Sequence, residues 1–339
     1  MVIHLRSIVF FLILFVIVTS PVSAQTPTEY GFNTFVMVQD PLQDLERFKA
    51  DVDDAVAHNQ QWIRTGIASW EVAPSGDVNH IDWNYENLAV YDEAISYAKQ
   101  KGLKIYLITS GAPDWTSFWG NNYSYKNYKK VSKMYWNFLA KRYRGKITVW
   151  QVFNEADYTH YRYFTPITTL TSSYLNELKG LLAAARTTIR TIDPAILITT
   201  NTAGWPMSDA IQTRWFKYFD AQKINLDVIT VDVYPVDNVA EIEKLDDRVT
   251  AVKNRYLKPV IIGEIGIQTC TTCWTEEDQQ IYIPMAVNQL KQANPMAIFV
   301  YQMRDRGIDP TSSEGTYGIK YNDGTPKQGY EAVLGAMAN

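Results

Sequence analysis

The chain has 339 residues, of which 46% are hydrophobic and 20% are charged; this balance is typical of globular proteins and excludes a disordered or fibrous chain. The formal net charge of −4 gives no general excess of basic side chains for binding nucleic acid or an anionic membrane. Because α/β barrels commonly occupy this length as one domain, we predict a single domain over residues 25–339.

Residues 1–24 have the organisation of a secretory signal peptide. Arg6 precedes an apolar run over 8–18, and small residues then place a cleavage site between Ala24 and Gln25. The run is shorter than the ~20 residues of a membrane-spanning helix, although an uncleaved anchor is the alternative. We therefore expect a secreted, extracellular protein that has no membrane contact after cleavage.

After Gln25, short β-rich segments alternate with amphipathic helical stretches, and no linker or low-complexity tract interrupts them. In chain order, the predicted elements are a strand over 30–35 and a helix over 41–59, then strand 61–67 and helix 87–101, strand 104–109 and helix 125–143, strand 147–153 and helix 170–192, strand 196–200 and helix 210–221, strand 227–233 and helix 239–256, strand 260–265 and helix 276–293, and strand 297–301 and helix 329–338.

Eight consecutive β-then-α units predict an α/β fold, the (β/α)8 TIM barrel. The strands are short, nearly continuous apolar runs, such as Val-Ile-Ile-Gly over 260–263, as expected when both faces of a parallel strand are buried. An open, doubly wound sheet is the alternative. It usually carries a glycine-rich phosphate-binding turn after an early strand, and the sequence has none.

Two glutamates follow predicted core strands at the end of the barrel where active sites lie. Asn154 and Glu155 end the fourth strand, and Glu264 ends the seventh. An ordinary acidic residue lies on the surface, whereas a carboxylate at the end of a core strand is costly unless it is paired or functional. The fourth and seventh strands lie on opposing arcs of the barrel, so the two carboxylates can converge, as cleavage of a glycosidic bond requires.

Several motifs in this strand order resemble those of clan A glycoside hydrolases, of the family 39 or family 5 type, and the resemblance runs from about Tyr30 to the C-terminus. The motifs are Asn154-Glu155, Gly263-Glu264, Pro113-Asp-Trp115 after strand three, Asp232-Val-Tyr234-Pro235 after strand six, and the segment 317–330 near the C-terminus.

The resemblance implies a role for each matching residue. Glu155 is the general acid and then base, with its proton retained near neutral pH, and Glu264 is the nucleophile. Arg64 and Tyr234 keep Glu264 ionised, and Asn154 binds the 2-hydroxyl of the sugar. The alternatives are a salt bridge in the barrel floor for Arg64 and core packing for Tyr234.

Aromatic residues are numerous, with 10 Trp and 22 Tyr, and flat aromatic faces can stack on sugar rings or fill a core. Those that follow predicted strands, and therefore line the predicted mouth, are Trp70, Trp115, Trp119, Tyr158, Tyr161 and Trp205. Many clan members have a tryptophan after strand eight, where this chain has Tyr301 and Gln302. Either residue can take the place of the tryptophan. The departure from the tryptophan pattern disfavours a cellulase subfamily.

The only cysteines, Cys270 and Cys273, are three residues apart. A zinc site would need two more ligands, and a redox role would need a thioredoxin-like helix start, so a local disulfide is the favoured interpretation. We expect no metal and no other cofactor.

The predicted function is retaining hydrolysis of a β-linked polysaccharide or oligosaccharide, with endo action, by a monomer whose partner is its carbohydrate substrate. A non-catalytic carbohydrate-binding barrel is the alternative from another class, and it would not need both Glu155 and Glu264. A metal-dependent barrel hydrolase is disfavoured because only His58, His80 and His160 remain after residue 24.

Overall fold

The structure, a computed structural model, describes residues 27–38, 40, 43–116, 123–161, 165–235, 238–307, 309 and 311–338. The predicted signal peptide and Trp119 lie outside these described residues. No helix in the described ranges is long and apolar enough to cross a membrane.

Eight parallel strands form the predicted barrel. They are β1 Glu29–Asn33, β2 Trp62–Gly66, β3 Lys104–Ile108, β4 Val149–Gln151, β5 Leu197–Thr199, β6 Ile229–Asp232, β7 Val260–Ile265 and β8 Ala297–Val300. Ladder pairing runs from β5 through β4, β3, β2, β1, β8 and β7 to β6. Single backbone hydrogen bonds from Asp227 N to Ile198 O (2.8 Å) and from Asp232 N to Thr202 O (3.1 Å) connect the remaining edges, β5 and β6. The (β/α)8 prediction is confirmed.

Eight helices alternate with the strands. They are α1 Leu45–Ala57, α2 Tyr85–Gln100, α3 Tyr125–Arg142, α4 Ser172–Ile192, α5 Asp209–Gln222, α6 Leu245–Tyr256, α7 Glu276–Gln292 and α8 Tyr330–Ala336. Several begin where a polar side chain accepts a hydrogen bond from the first turn, as Asp44 does from Arg47 N and Asn84 from Asn87 N. Such N-caps satisfy backbone donors that lack helical partners. The cap at Asp44 explains why the first helix starts later than the predicted residue 41.

Some short helices and strands were not predicted from the sequence. A one-turn helix at Ser69–Val72 and a short antiparallel pair, Ser75–Gly76 with Ile81–Asp82, follow β2. The predicted helix over 239–256 is divided into a one-turn helix, Val239–Ile242, and α6. The break brings Glu241 into an ion pair with Arg248 of α6.

The barrel interior changes from apolar to polar along the strands. Trp62, Tyr106, Ile261 and Phe299 belong to an apolar cluster of inward-facing side chains. One inward position further along the second strand is Arg64, which is fully buried. The polar layer lies at the carboxyl ends of the strands, where loops supply further side chains.

Strand β7 contains one extra residue relative to both neighbours. Ile262 pairs with Val231 of β6, whereas Glu264 pairs with the next residue, Asp232, and a similar shift occurs against β8. Gly263 is the inserted position: an added Cβ there would lie 2.6 Å from Oδ1 of Asp232. Bulges of this kind redirect side chains. Here the bulge turns Glu264 into the barrel, although strict alternation after the inward-facing Ile261 would place it on the outer face.

Cys270 and Cys273 form the predicted disulfide. It closes a short turn, in which Cys273 N donates to Cys270 O at 2.9 Å, between β7 and α7. The bond therefore braces a loop at the carboxyl end of the barrel.

The close contact between the ends of β5 and β6 generates a stability prediction. A Cβ on Gly204 would lie 1.8 Å from the carbonyl oxygen of Asp232, so Gly204→Ala must push the two backbones apart. We expect a loss of at least about 1–3 kcal/mol in the free energy of unfolding, as for an overpacked core, measured by denaturant titration. Gly335→Ala is the matched control, because a Cβ there meets no atom within 4 Å. A Gly204→Ala variant as stable as Gly335→Ala would contradict the predicted clash.

Candidate active site

Glu155 and Glu264 line one cavity of about 570 Å³ at the carboxyl ends of the strands. Glu155 follows β4, and Glu264 lies in β7. Asn154 and Tyr234, which the sequence placed at this site, line the same cavity. Two carboxyl groups from opposing arcs of the barrel therefore face a common space.

Both oxygens of the Glu264 carboxylate accept hydrogen bonds. Arg64 Nη1 donates to Oε1 at 2.6 Å, and the Tyr234 hydroxyl donates to Oε2 at 2.5 Å. Arg64 is fully buried and also donates to Asn33 Oδ1. These contacts stabilise a negative charge on Glu264 and fix its orientation. Arg64 thus contacts the predicted nucleophile rather than the floor of the barrel.

Gln151 connects this ion pair to the other side of the site. Its Oε1 accepts from Arg64 Nη2 at 2.9 Å and from the Tyr106 hydroxyl at 2.7 Å. Its Nε2 donates to Asn154 Oδ1 at 2.8 Å and to Asn201 Oδ1 at 2.9 Å. Every hydrogen-bonding position of the buried Gln151 amide is used, so the amide orientation is fixed.

Asn201 holds the backbone of Glu155. Its Oδ1 accepts from Glu155 N at 2.7 Å, and its Nδ2 donates to Asn154 Oδ1 at 3.1 Å and to Asp232 Oδ2. Glu155 has a φ of 43°, in the left-handed region that is costly for a residue with a Cβ. The Asn201 hydrogen bond helps to hold the residue in this conformation.

Burial, together with the neighbouring negative charges of Glu264 and Asp157, raises the pKa of Glu155 to about 8. A carboxyl group with this pKa keeps its proton at neutral pH. Asp157, two residues later, is fully buried, and burial raises its pKa to about 6 although Arg214 forms an ion pair with it. Burial also raises the pKa of Asp232 well above its usual range.

The aromatic residues predicted at the mouth separate into three groups. Trp205 and Tyr158 are exposed, with 38% and 48% of their surface accessible, and line the cavity together with Tyr301. Trp70 and Tyr161 line a neighbouring cavity of about 200 Å³.

Trp115, predicted to bind substrate, is not among the residues that line either cavity. Only 5% of its surface is exposed, its ring contacts Tyr123 edge-on at 6.0 Å, and it lies over Gly76, where an added Cβ would be 2.8 Å from Cζ2. Trp115 therefore packs the loop after β3 instead of facing the cleft.

Four residues of this part of the structure were assigned no role from the sequence. Asp232 and Tyr317 were recognised only as members of motifs, and Gln151 and Asn201 were not singled out. Gln151 and Asp232 are inward-facing polar residues in otherwise apolar strands, and this polarity is a signal that sequence inspection could have used. Asn201 lies in a loop, and the sequence carries no comparable signal for it. Within the described residues, no group of three or more His, Cys, Asp or Glu side chains is placed to hold a metal ion.

The raised pKa of Glu155 predicts how the stability depends on pH. An unfolded glutamate loses its proton near pH 4.3, whereas folded Glu155 keeps it up to about pH 8. Across this window the folded state binds more protons, so its stability falls as the pH rises and levels off above the folded pKa. Glu155→Gln has no proton to lose. The Tm of the unsubstituted protein should therefore fall relative to that of Glu155→Gln as the pH rises. We expect the difference in Tm to change by several degrees in favour of the variant between about pH 5 and about pH 8. Parallel Tm curves would contradict the pKa assignment.

Comparison with known proteins identifies a family for most of the chain. The sequence profile described as glycosyl hydrolase catalytic core matches residues 77–321, which include Glu155 and Glu264. A search of curated protein sequences finds no match.

The fold is similar to three solved glycosidase structures. GH5_18 from Streptomyces cattleya, in complex with GlcNAc, has 15% identity over 92% of this chain and 80% of its own, with a TM-score of 0.72. The hyperthermophilic β-glucosidase from Pyrococcus furiosus has 14% identity over 93% and 96%, with a TM-score of 0.70. An exo-β-1,4-mannosidase from an Opitutaceae bacterium has 14% identity over 93% and 61%, with a TM-score of 0.70.

At these identities the structural likenesses establish the fold, and the profile match over most of the chain establishes the family. The resemblance predicted from the motifs is confirmed at this level. The chain belongs to the glycosyl hydrolase catalytic core family and is an O-glycosyl hydrolase built on a (β/α)8 barrel.

Proposed function

We propose that this glycosidase cleaves β-linked polysaccharide or oligosaccharide chains by double displacement, with retention of configuration. Glu264 is the nucleophile, and Glu155 is the acid and then the base. One observation carries the proposal: Glu264 is held between Arg64 (2.6 Å) and Tyr234 (2.5 Å) and faces the same cavity as Glu155, whose buried carboxyl retains its proton. Glu155 is thus placed to give a proton, and the Glu264 carboxyl group is oriented by a cation and a phenol to attack, as the first step needs.

In the first step, the carboxylate of Glu264 attacks the anomeric carbon as Glu155 gives its proton to the glycosidic oxygen. The bond between the anomeric carbon and that oxygen breaks, and the leaving sugar departs as an alcohol. Arg64 and Tyr234 orient the attacking carboxylate and stabilise its charge until the new bond forms.

In the second step, Glu155 has become a carboxylate and acts as the base. It takes a proton from water while the water oxygen attacks the anomeric carbon, and the bond to Glu264 breaks. Glu264 returns to its hydrogen bonds with Arg64 and Tyr234 as a carboxylate, and Glu155 is protonated again. Two displacements at one carbon restore the starting configuration.

Asn154 is placed to bind the sugar. Its Oδ1 accepts hydrogen bonds from Gln151 and Asn201, which leaves its Nδ2 as the group available to donate to a hydroxyl. We propose that this hydroxyl is the 2-hydroxyl, a contact that strengthens as positive charge develops on the ring.

Endo action and secretion are further parts of the proposal. The catalytic cavity shares Phe35, Ile108 and Asn154 with the neighbouring cavity, so the cleft extends beyond one sugar ring, which supports binding within a longer chain. The apolar segment over 8–18 and the disulfide between Cys270 and Cys273 support export to an oxidising compartment.

Replacement of the nucleophile gives a direct test. We expect Glu264→Ala to lower kcat by at least about 10⁴-fold, because no carboxylate remains to attack. Azide should partly restore turnover of an activated aryl glycoside by attacking in its place, and NMR of the product should show inverted configuration.

The matched control is Tyr234→Phe, which keeps Glu264 and removes only the hydrogen bond to Oε2. We expect it to lower kcat by about 10–100-fold, with no response to azide and with retention. Unchanged activity of Glu264→Ala, or azide rescue of both variants, would reject Glu264 as the nucleophile.

The acid role of Glu155 predicts a pH profile. Because the proton is needed in the first step and is lost through about pH 8, kcat/KM should fall above this pH. Glu155→Gln should lack this basic limb. It should retain most of its kcat/KM, which reports the first step, only on substrates whose leaving groups need no proton. Equal loss on aryl glycosides with good and poor leaving groups would contradict the assignment.

A further inference from the structure

Arg306 brings a positive charge into the cleft, and no carboxylate in the described ranges of the chain neutralises it. It lines both the catalytic cavity and the neighbouring cavity that contains Trp70. Within the described part of the chain, no Asp or Glu forms an ion pair with Arg306, whereas Arg304, two residues earlier, pairs with Asp51 at 2.7 Å. A cation that is left unpaired in a binding cleft is available for a ligand.

The guanidinium of Arg306 is held in place by aromatic side chains. It lies 5.3 Å from the centre of the Phe35 ring, and its Nη1 donates to the Tyr301 hydroxyl at 3.2 Å. Tyr301 is itself 93% buried, since 7% of its surface is exposed. In the part of the chain that the structure describes, this is the guanidinium's one hydrogen bond, so its other N–H groups can reach a ligand.

A series of ring contacts connects Arg306 to the nucleophile. Tyr301 contacts Tyr317 edge-on at 5.2 Å, and Tyr317 contacts Tyr234 at 5.8 Å. Tyr234 in turn donates to Glu264. Because these rings are packed together, the positive charge has a defined place in the cavity that both glutamates line.

We propose that Arg306 binds the carboxylate of a hexuronic acid unit and that the substrate is therefore an acidic polysaccharide. This inference rests on the proposed glycosidase function. With Phe35 against the guanidinium face, the free N–H groups are presented along the edge. That edge matches a planar carboxylate, which can accept two parallel hydrogen bonds. The hydroxyls of a neutral sugar would leave the charge uncompensated.

Glu314 is the opposing charge in this part of the cleft. Its side chain is exposed, it lines the catalytic cavity, and it forms no ion pair with Arg306 among the described contacts. An anionic substrate must approach this carboxylate, which repels it. Removal of the charge should therefore improve turnover of an acidic chain more than turnover of a neutral chain.

The test compares polymers that differ only in the carboxyl group. β-1,4-Linked glucuronan and mannuronan oligomers are each assayed beside their carboxyl-reduced forms. We expect kcat/KM to be at least about tenfold higher for one of the acidic chains than for its carboxyl-reduced form. Arg306→Gln should remove this preference by lowering kcat/KM for the acidic chain only. Glu314→Gln should raise that value. Arg306→Lys, which keeps the charge without the planar fork, should retain part of the preference.

Arg144→Gln is the control variant, since Arg144 is exposed and follows α3 at the opposite end of the barrel. It should leave the preference unchanged. Binding of the same oligomers to Glu264→Ala, measured by calorimetry, gives a readout that needs no turnover. Adding Arg306→Gln to Glu264→Ala should weaken the binding of the acidic oligomers only.

The outcomes separate the two proposals. Hydrolysis with no acid preference, or a preference that survives Arg306→Gln, would overturn the acidic substrate while leaving the glycosidase intact. Absence of hydrolysis on every chain by folded protein would contradict the proposed function, and the inference about Arg306 would fall with it.

Discussion

The buried charge of Arg64 is the constraint on which the interior of this barrel depends. A guanidinium removed from water costs several kcal/mol unless charge and hydrogen bonds compensate for it. Glu264 supplies the charge, and Asn33 and Gln151 supply acceptor oxygens. The ring of Tyr106 lies 5.2 Å from the guanidinium carbon. Each of these residues comes from a different strand, so satisfying one cation ties the strands together at the level where the chemistry takes place.

The polar layer also explains how two glutamates in one cavity acquire different roles. Glu264 faces a cation and a phenol. Among the residues that the structure describes, neither is hydrogen-bonded to the carboxyl group of Glu155, which stays protonated because it is buried beside negative charge. Asn201 contacts the backbone of Glu155 and the side chain of Asn154, and Gln151 contacts both Asn154 and Arg64. The acid and the nucleophile are thus held by one hydrogen-bonded network.

The barrel and its two glutamates could be predicted from the sequence because apolar strand runs and strand-end acids are local patterns. Trp115 was assigned to the cleft because position after a strand does not reveal which way a loop folds. Gln151 and Asp232 were assigned no role because their importance comes from partners on other strands. The orientation of Glu264 also depends on more than alternation, since the inserted residue at Gly263 changes the register against both neighbouring strands.

That inserted residue makes the register of β7 part of the chemistry. A related chain could keep every polar side chain of the site and the same number of residues in β7, yet pair all of them regularly. Two-residue periodicity would then direct its glutamate towards the surrounding helices, with a buried, uncompensated arginine left behind. Homologues that retain the glutamate can therefore differ in whether it is usable, and the pairing of this strand is as informative about function as substitutions.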